Sequence, residues 1–320
     1  MKKIVCDIRQ LTGEHRRAIE RAAGARGYAV CFPGSAAEAL AEARDAEILF
    51  TADTRLVKAA AQLRWLCVPS AGVEPYLPDA LYANPGALLT NSSGAYGVTI
   101  SEHVIMVTLE MMRRRADYAR IVSERRWQRL LPMRSIRDCR ATLLGTGDIG
   151  REVAKRLRAF GPASVTGVSR RGLDPEGLFD RALKVDALDD VLPETDLLIL
   201  SLPGTPDTAN LMDGRRLKLL PEGAYLVNVG RGSALDQAAL IDLLRAGRLA
   251  GAALDVFQKE PLPPDDVAWD CPRLLITPHI AGDMALPYTV DRIADMFLED
   301  FENHCEGRPL KRQVDRKRGY

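Results

Sequence analysis

Two hydrophobic patterns alternate along most of the chain. Short apolar runs, such as IVCDI at 4–8 and EILFT at 47–51, have the length of buried strands. Between such runs lie helical patterns, such as HRRAIERAAGARG at 15–27, which closes on glycine. Strands that alternate with helices indicate an α/β fold with parallel sheets, and a first unit of this kind is complete by about residue 97.

The pattern changes in the middle of the chain and then restarts. VTISEHVIMVTLEMMRR at 98–114 predicts a long buried helix, and the arginine-rich segment 113–140 is expected to be an irregular, exposed arm. Strands and helices alternate again from residue 141, and an amphipathic helix is predicted at 285–307. The tail KRQVDRKRGY at 311–320 is expected to be a disordered basic end.

The sequence GTGDIG at 145–150 follows a strand-like run and opens a helical one. In this context the first glycine permits a tight turn, the second lets the backbone approach a pyrophosphate, and the third lets helix and strand pack closely. The helix N-terminus adds free N–H groups and a positive partial charge. A tight turn without a ligand is the alternative. The residues expected to bind a dinucleotide here are Gly145, Gly147, Asp148, Ile149 and Gly150.

The end of the second strand of this unit favours NADP(H) over NAD(H). NAD-binding sites usually place Asp or Glu there to bind the ribose hydroxyls, whereas this chain has Ser169, Arg170 and Arg171. A guanidinium can bind a 2′-phosphate that an acidic residue would repel. The alternative is that the arginines are solvated loop residues. NAD(H) remains a possible second cofactor.

Three ionisable residues follow strand-like runs in the second unit. Arg231 ends YLVNVGRG, Glu260 follows ALDVFQK, and His279 ends LLITP. The carboxyl ends of parallel strands face the ligand crevice, so the three side chains are expected to share a site. They suit hydride transfer to a carbonyl, with the histidine as acid, the glutamate as its partner and the arginine binding a carboxylate. Each residue alone is more often structural or solvated than catalytic.

Several motifs in one order make the chain resemble a known family. NVGRG, ALDVFQKEPLP and TPHIAG follow GTGDIG, after PSAGVEPYL and NSSGAYGVTISEH. This order resembles the D-isomer-specific 2-hydroxyacid dehydrogenases, and the double arginine resembles their NADPH-preferring glyoxylate/hydroxypyruvate reductase branch. The resemblance implies that Arg231, Glu260 and His279 are the catalytic set.

The resemblance implies further contacts. The backbone N–H groups of Ala71 and Gly72 match a loop that binds the substrate carboxylate, and Glu74 stands where an aspartate is common. Asp255 matches the aspartate near the nicotinamide carboxamide. The remaining residues expected along the cofactor are Leu202, Pro203, Thr208 and Val229.

In this family a Rossmann cofactor domain is inserted into a discontinuous, flavodoxin-like substrate domain, and both contain a parallel sheet. The resemblance therefore implies a substrate domain at 1–97 and 286–320 and an NAD(P)-binding domain at 98–285. The arm at 113–140 matches a segment that wraps a partner subunit, which implies a homodimer.

Composition narrows the possible functions. Of the 320 residues, 47% are hydrophobic and 27% charged, and the net charge of +1 gives no reason to expect nucleic acid or a membrane as partner. The six cysteines are scattered without metal-site spacing, so we expect reduced thiols, a cytoplasmic protein and no metal.

The sequence thus predicts an oxidoreductase that uses NADPH to reduce a small 2-oxo acid, such as glyoxylate or hydroxypyruvate, to the D-2-hydroxy acid. A dehydrogenase of a bulkier 2-hydroxy acid is an alternative. A second alternative is an NAD(P)-sensing, corepressor-like scaffold without turnover, which the intact set of Arg231, Glu260 and His279 disfavours.

Overall fold

The computed structural model describes residues 2–130 and 132–319 and divides into two compact units. One unit comprises Met1–Tyr96 and Met284–Tyr320, and the other comprises Gly97–Asp283. The second unit is therefore an insertion in the first. Within the described residues, no helix is long and apolar enough to cross a membrane.

A five-stranded parallel sheet is the centre of the first unit. Its strands are β1 (Lys2–Asp7), β2 (Tyr28–Cys31), β3 (Ile48–Thr51), β4 (Trp65–Cys67) and β5 (Leu88–Thr90). They lie in the order β2-β1-β3-β4-β5, which is the flavodoxin-like order. The helices that join the first four strands are α1 (Gly13–Gly24), α2 (Ala36–Ala43) and α3 (Thr54–Ala59).

Each of these three helices begins at a polar capping residue. Thr12, Ser35 and Asp53 accept hydrogen bonds from main-chain N–H groups in the first turns of α1, α2 and α3. Such side chains are favoured there because the first N–H groups of a helix have no partner within the helix. The capping residues therefore set where the first-unit helices start.

A seven-stranded sheet, parallel throughout, is the centre of the second unit. Its strands are β6 (Arg140–Leu144), β7 (Ser164–Ser169), β8 (Arg181–Lys184), β9 (Leu197–Leu200), β10 (Tyr225–Asn228), β11 (Gly251–Leu254) and β12 (Leu274–Ile276). Their order is β8-β7-β6-β9-β10-β11-β12, so the chain changes direction across the sheet between β6 and β9. Ligands bind outside the carboxyl ends of strands at such a switch point. The predicted pair of parallel α/β sheets is confirmed.

Part of the predicted irregular arm is helical. The helices of the second unit are α4 (Gly97–Met112), α5 (Arg115–Ser123), α6 (Asp148–Ala159), α7 (Leu188–Val191), α8 (Gly214–Leu217) and α9 (Gln237–Arg245). Helix α5 lies within the arm and buries Ile121, and the Tyr118 hydroxyl bonds to the N–H and C=O of Leu130. The prediction of an irregular arm was therefore wrong for this helix, whereas Trp127 is fully exposed.

The chain returns to the first unit through helix α10 (Pro287–Cys305). Phe297 on this helix is fully buried, and its ring stacks on Phe50 at 4.6 Å and on Trp65 at 5.4 Å. The tail then pairs with the sheet, because the N–H of Val314 donates to the carbonyl of Leu89 at 2.8 Å. The prediction of a disordered basic tail was therefore wrong for its described residues.

Candidate active site

A histidine and a glutamate are paired beyond the carboxyl ends of β12 and β11. His279 Nδ1 lies 2.7 Å from Glu260 Oε2, and Glu260 Oε1 accepts a hydrogen bond from the Phe257 N–H at 2.8 Å. An ionised carboxylate only accepts hydrogen bonds, so Nδ1 is the donor in this pair. The other ring nitrogen, Nε2, has no hydrogen-bond partner in residues 2–130 and 132–319, and 51% of the His279 side chain is exposed. Nε2 is therefore the nitrogen available for proton transfer.

The loop that bears His279 is bound to Asp255, which directly follows β11. The Asp255 carboxylate accepts hydrogen bonds from the Thr277 hydroxyl at 2.6 Å and from the N–H groups of Ile280 and Ala281 at 3.0 Å. The Asp255 carbonyl oxygen accepts a hydrogen bond from the N–H of His279 at 2.9 Å. Asp255 is only 3% exposed, and a buried carboxylate needs such donors because it has lost its contact with water. One residue thus holds the loop at four points.

The backbone conformation of His279 explains why these donors converge. Its φ is +54°, a left-handed value that is uncommon for a residue with a Cβ atom. A left-handed residue in a turn can direct successive N–H groups toward one anion, which here is the carboxylate of Asp255. Such strain persists only where the surrounding contacts fix it. The hydrogen bonds to Asp255 therefore fix the position from which the imidazole projects.

Arg231 lies on a short loop whose main chain is hydrogen-bonded to the side chain of Asn228. The side chain of Asn228, which is fully buried, accepts from the Gly230 N–H at 3.1 Å and donates to the Arg231 carbonyl at 3.0 Å. The Arg231 guanidinium also donates to the Gly230 carbonyl at 2.8 Å. These contacts fix the main chain at Gly230 and Arg231, from which the guanidinium group extends.

The two glycines beside Arg231 allow neighbouring loops to approach closely. A Cβ atom on Gly230 would lie 2.6 Å from the nitrogen of Leu202, in the loop after β9. A Cβ atom on Gly232 would lie 1.9 Å from the carbonyl carbon of Phe257, in the loop that bears the glutamate. Both distances are too short for any side chain. The glycines of the GRG motif therefore join the loops that follow β9, β10 and β11.

The glycine turn after β6 has the geometry of a phosphate-binding turn. Gly145 has a φ of +103°, and a Cβ atom there would meet the Ser201 carbonyl oxygen at 2.8 Å. A Cβ atom on Gly150 would lie 2.0 Å from the Gly145 carbonyl oxygen, whereas one on Gly147 would meet nothing within 4 Å. The first and third glycines are thus needed for packing, and the second leaves open space at the N-terminus of α6. This cradle fits a dinucleotide pyrophosphate.

The side chain of Asp148, inside the same turn, is directed elsewhere. A Cβ atom on Gly97 would lie 2.5 Å from Asp148 Oδ2, so the Asp148 carboxylate points toward the start of α4. Burial raises the pKa of the Asp148 carboxyl group. Any contact with a cofactor phosphate would therefore come from the main chain at this position, as is also expected for Ile149.

The loop after β7 exposes two arginines. The Ser169 hydroxyl oxygen accepts a hydrogen bond from the Gly172 N–H at 3.2 Å, and Gly172 has a φ of +63°. Arg170 and Arg171 lie in the tight turn between these residues and are both exposed. The turn thus presents two guanidinium groups where an NAD-binding site commonly has an acid.

The other residues predicted to lie along the cofactor belong to the loops after β9 and β10. Thr208 donates to the Pro203 carbonyl at 2.6 Å, which closes the loop that also contains Leu202. Val229 is 6% exposed, and its N–H donates to the Leu200 carbonyl at 3.0 Å. The contacts of these residues, and of Asp255, with a cofactor stay predictions.

In the first unit, the loop after β4 has carbonyl groups that are already bonded. Asn91 donates to the Ala71 carbonyl at 2.8 Å, and the Ser70 hydroxyl donates to the Gly72 carbonyl at 2.7 Å. Across the described chain, no group accepts a hydrogen bond from the N–H of Ala71 or Gly72. These two donors are therefore available to an anion.

Comparison with known proteins agrees with this geometry. Residues 105–281 match the family described as "D-isomer specific 2-hydroxyacid dehydrogenase, NAD binding domain". Glyoxylate/hydroxypyruvate reductase A of Salmonella typhimurium is 32% identical over 266 residues, which cover 81% of this chain and 82% of that protein. The chain belongs to the D-isomer specific 2-hydroxyacid dehydrogenase family.

Solved structures of this family match nearly the whole chain. A D-isomer specific 2-hydroxyacid dehydrogenase family protein from Aeromonas salmonicida is 31% identical, with a TM-score of 0.87, and the match covers 98% of this chain and 99% of that one. The NADPH-dependent glyoxylate/hydroxypyruvate reductase of Sinorhizobium meliloti, in complex with NADP and sulfate, is 26% identical with a TM-score of 0.81 and full coverage of both chains. The predictions of an enzyme, of this family and of NAD(P) binding are confirmed.

Several supporting residues of this dehydrogenase site were not found from the sequence. Asn228, Thr277 and Ser201 hold the loops that bear the motif residues, and their side chains bond to main-chain or buried groups. The only feature of the sequence that could have indicated them was a polar residue at or just after the end of an apolar run. That signal is weak because such residues also occur in ordinary turns.

The two glycines of the turn after β6 give a matched pair of substitutions. Gly147→Ala should leave the free energy of unfolding unchanged but weaken NAD(P)H binding by roughly tenfold, because its methyl group enters the open cradle. Gly150→Ala should lower the free energy of unfolding by about 1–3 kcal/mol or more, because its methyl group meets a main-chain carbonyl. Denaturant titration and fluorescence titration with NADPH and NADH measure the two effects. Unchanged binding by Gly147→Ala would contradict this location for the pyrophosphate.

Proposed function

We propose that this dehydrogenase uses NADPH to reduce small 2-oxo acids of the glyoxylate or hydroxypyruvate type to D-2-hydroxy acids. The observation on which the proposal rests is the contact of 2.7 Å between His279 Nδ1 and Glu260 Oε2, which leaves Nε2 without a partner among the described residues. The printed names of the Salmonella and Sinorhizobium relatives give the same substrate class for those proteins.

In the proposed mechanism His279 is the general acid. When bound, the nicotinamide supplies the hydride that adds to the carbonyl carbon. His279 gives the proton on Nε2 to the carbonyl oxygen and takes it back in the reverse direction. Glu260 accepts the hydrogen bond from Nδ1, so it orients the ring. Because Glu260 also binds a main-chain N–H, its own orientation is fixed before substrate binds.

The proposed anchors for the substrate are donors of hydrogen bonds. The guanidinium of Arg231 suits a carboxylate or a polarised carbonyl oxygen, because its planar donors match those acceptors. The N–H groups of Ala71 and Gly72, whose carbonyls are already bonded, suit the substrate carboxylate. A 2-oxo acid contains both kinds of acceptor. We therefore assign substrate binding to these three residues.

The preference for NADPH over NADH is proposed from Arg170 and Arg171. Both side chains are exposed in the turn after β7, where they suit the 2′-phosphate of the adenosine ribose. The solved relative from Sinorhizobium meliloti supports this reading, because its structure is a complex with NADP.

Replacing the proposed acid tests the mechanism directly. Asparagine tolerates the left-handed backbone of position 279, so His279→Asn should keep the loop while it removes the proposed proton donor. We expect the kcat for reduction of glyoxylate by NADPH to fall roughly a hundredfold or more, with NADPH binding unchanged. His15→Asn, which removes a histidine of the first unit, is the control and should keep the wild-type kcat. A near-normal kcat in His279→Asn would remove His279 from this role.

Replacing both arginines tests the cofactor preference. Arg170→Ala with Arg171→Ala should raise the Kd for NADPH roughly tenfold or more, because charge-assisted hydrogen bonds to the phosphate are lost. The Kd for NADH should change little. Arg181→Ala on the neighbouring strand removes one positive charge that is paired with Glu194, and it is the control for net charge. Equal weakening of both cofactors would contradict the phosphate-binding role.

We also propose that the arm at 113–140 binds a second copy of the chain. Trp127 is fully exposed, and Val122, on the same arm, is 69% exposed. If Trp127 is buried by the second copy, Trp127→Ser should weaken the dimer by about 2 kcal/mol or more, as loss of a central interface residue does. Sedimentation velocity across a concentration series measures this. Trp269→Ser is the control, and a wild-type monomer at all concentrations would refute the dimer.

A cytoplasmic location is the remaining proposal. All six cysteines are free thiols. Disulfides persist in oxidising compartments and are rare in the cytosol, so free thiols suit the cytoplasm.

A further inference from the structure

We propose that His103, on helix α4, is a positioning residue that holds the His279 loop through Thr277 and Asp255. The catalytic consequence rests on the proposed function, because it concerns the proposed acid. His103 ends the run NSSGAYGVTISEH but is not among the predicted site residues, and its Nε2 lies 3.3 Å from the Thr277 hydroxyl oxygen. The contact joins residues that are 174 positions apart in the chain.

The direction of the hydrogen bonds follows from the number of protons available. The Thr277 hydroxyl has one proton, and its contact of 2.6 Å with Asp255 Oδ1 takes that proton, because a carboxylate only accepts. Thr277 Oγ1 can therefore serve His103 only as an acceptor. The proton of the neutral His103 ring then lies on Nε2. The result is a directed chain of donors from His103 to Thr277 to Asp255.

The end of this chain is the support of the catalytic loop. Asp255 Oδ1, which accepts the hydrogen bond from the Thr277 hydroxyl, also accepts one from the N–H of Ile280, and Oδ2 accepts one from the N–H of Ala281. Both N–H groups directly follow His279 in the chain. The hydrogen bond that the Thr277 hydroxyl accepts from His103 restricts the rotation of the Thr277 side chain. His103 therefore fixes the direction in which this hydroxyl donates to the Asp255 carboxylate.

Helix α4 is a firm base for such a contact. Its residues around His103 include four that are buried, namely Ile100, Ser101, Val104 and Val107. The helix packs along α6 and against β10 and β11. Burial lowers the pKa of the His103 imidazole, and the carboxylate of Asp255 opposes that effect. A neutral ring adds a donor to the chain without adding a buried charge.

The test compares His103→Leu, which removes the donor, with His103→Gln, which keeps an N–H donor on a side chain of similar reach. Thr277→Val interrupts the chain at its middle, and the double variant His103→Leu with Thr277→Val completes a cycle. The readouts are kcat and KM with NADPH and glyoxylate, and amide hydrogen exchange at Ile280 and Ala281. Exchange at these two N–H groups reports directly on their hydrogen bonds to Asp255.

We expect His103→Leu to lower kcat and to speed exchange at Ile280 and Ala281, each by about three- to tenfold, as loss of one hydrogen bond predicts. The KM for NADPH should stay unchanged. His103→Gln should restore much of both losses. The double variant should be no worse than Thr277→Val alone, because His103 acts through Thr277.

His304→Leu is the matched control. His304 is likewise partly buried, with a pKa lowered by burial, but its ring stacks on Trp65 in the first unit at 5.4 Å. This variant should leave kcat and loop exchange unchanged. The proposal is overturned if His103→Leu matches the wild type in both readouts. It is also overturned if exchange rises equally throughout α4 and His103→Gln gives no rescue, because His103 would then serve only packing.

The exchange measurement separates this inference from the proposed function. It needs neither substrate nor turnover. If the wild-type protein does not oxidise NADPH with any 2-oxo acid, the proposed function fails, but faster exchange at Ile280 and Ala281 in His103→Leu still supports the positioning role. If the wild type turns over and His103→Leu is unchanged in kcat and exchange, only the positioning role fails.

Discussion

Asp255 ends strand β11 with a carboxylate that is almost fully buried and accepts three hydrogen bonds from the loop after β12. Burial makes those bonds obligatory, because a carboxylate removed from water without donors would cost several kcal/mol. The left-handed conformation of His279 lets the donors of this loop converge on the carboxylate, and the hydrogen bonds in turn hold that conformation. The position of the proposed acid is therefore set by an electrostatic requirement of a neighbouring strand.

The same division of roles recurs across the site. The side chains suited to chemistry are accessible, as His279 and Glu260 are 51% and 35% exposed, whereas the groups that hold their loops are buried, as Asp255 and Asn228 are. Close main-chain contacts at Gly230 and Gly232 join the loops that follow β9, β10 and β11. Exposed groups suited to catalysis on a buried, hydrogen-bonded support lose little conformational freedom when substrate binds, which would favour reaction.

The motif residues could be predicted from the sequence because they follow apolar runs that read as strands, and the carboxyl ends of parallel strands meet at one edge of a sheet. Strand β8 was missed because its sequence, RALK, has no apolar run. The supporting contacts were missed for a different reason. Thr277 lies 22 positions from Asp255 and 174 from His103, so no local pattern reports their proximity.

The most direct test of the central claim is the loss of absorbance of NADPH, and separately of NADH, with a panel of 2-oxo acids from glyoxylate to phenylpyruvate. The account predicts fast oxidation of NADPH with the small acids, slower oxidation of NADH and falling rates as the acid becomes larger. A folded protein that binds NADPH but oxidises it with none of these acids would contradict the account and favour a cofactor-sensing scaffold.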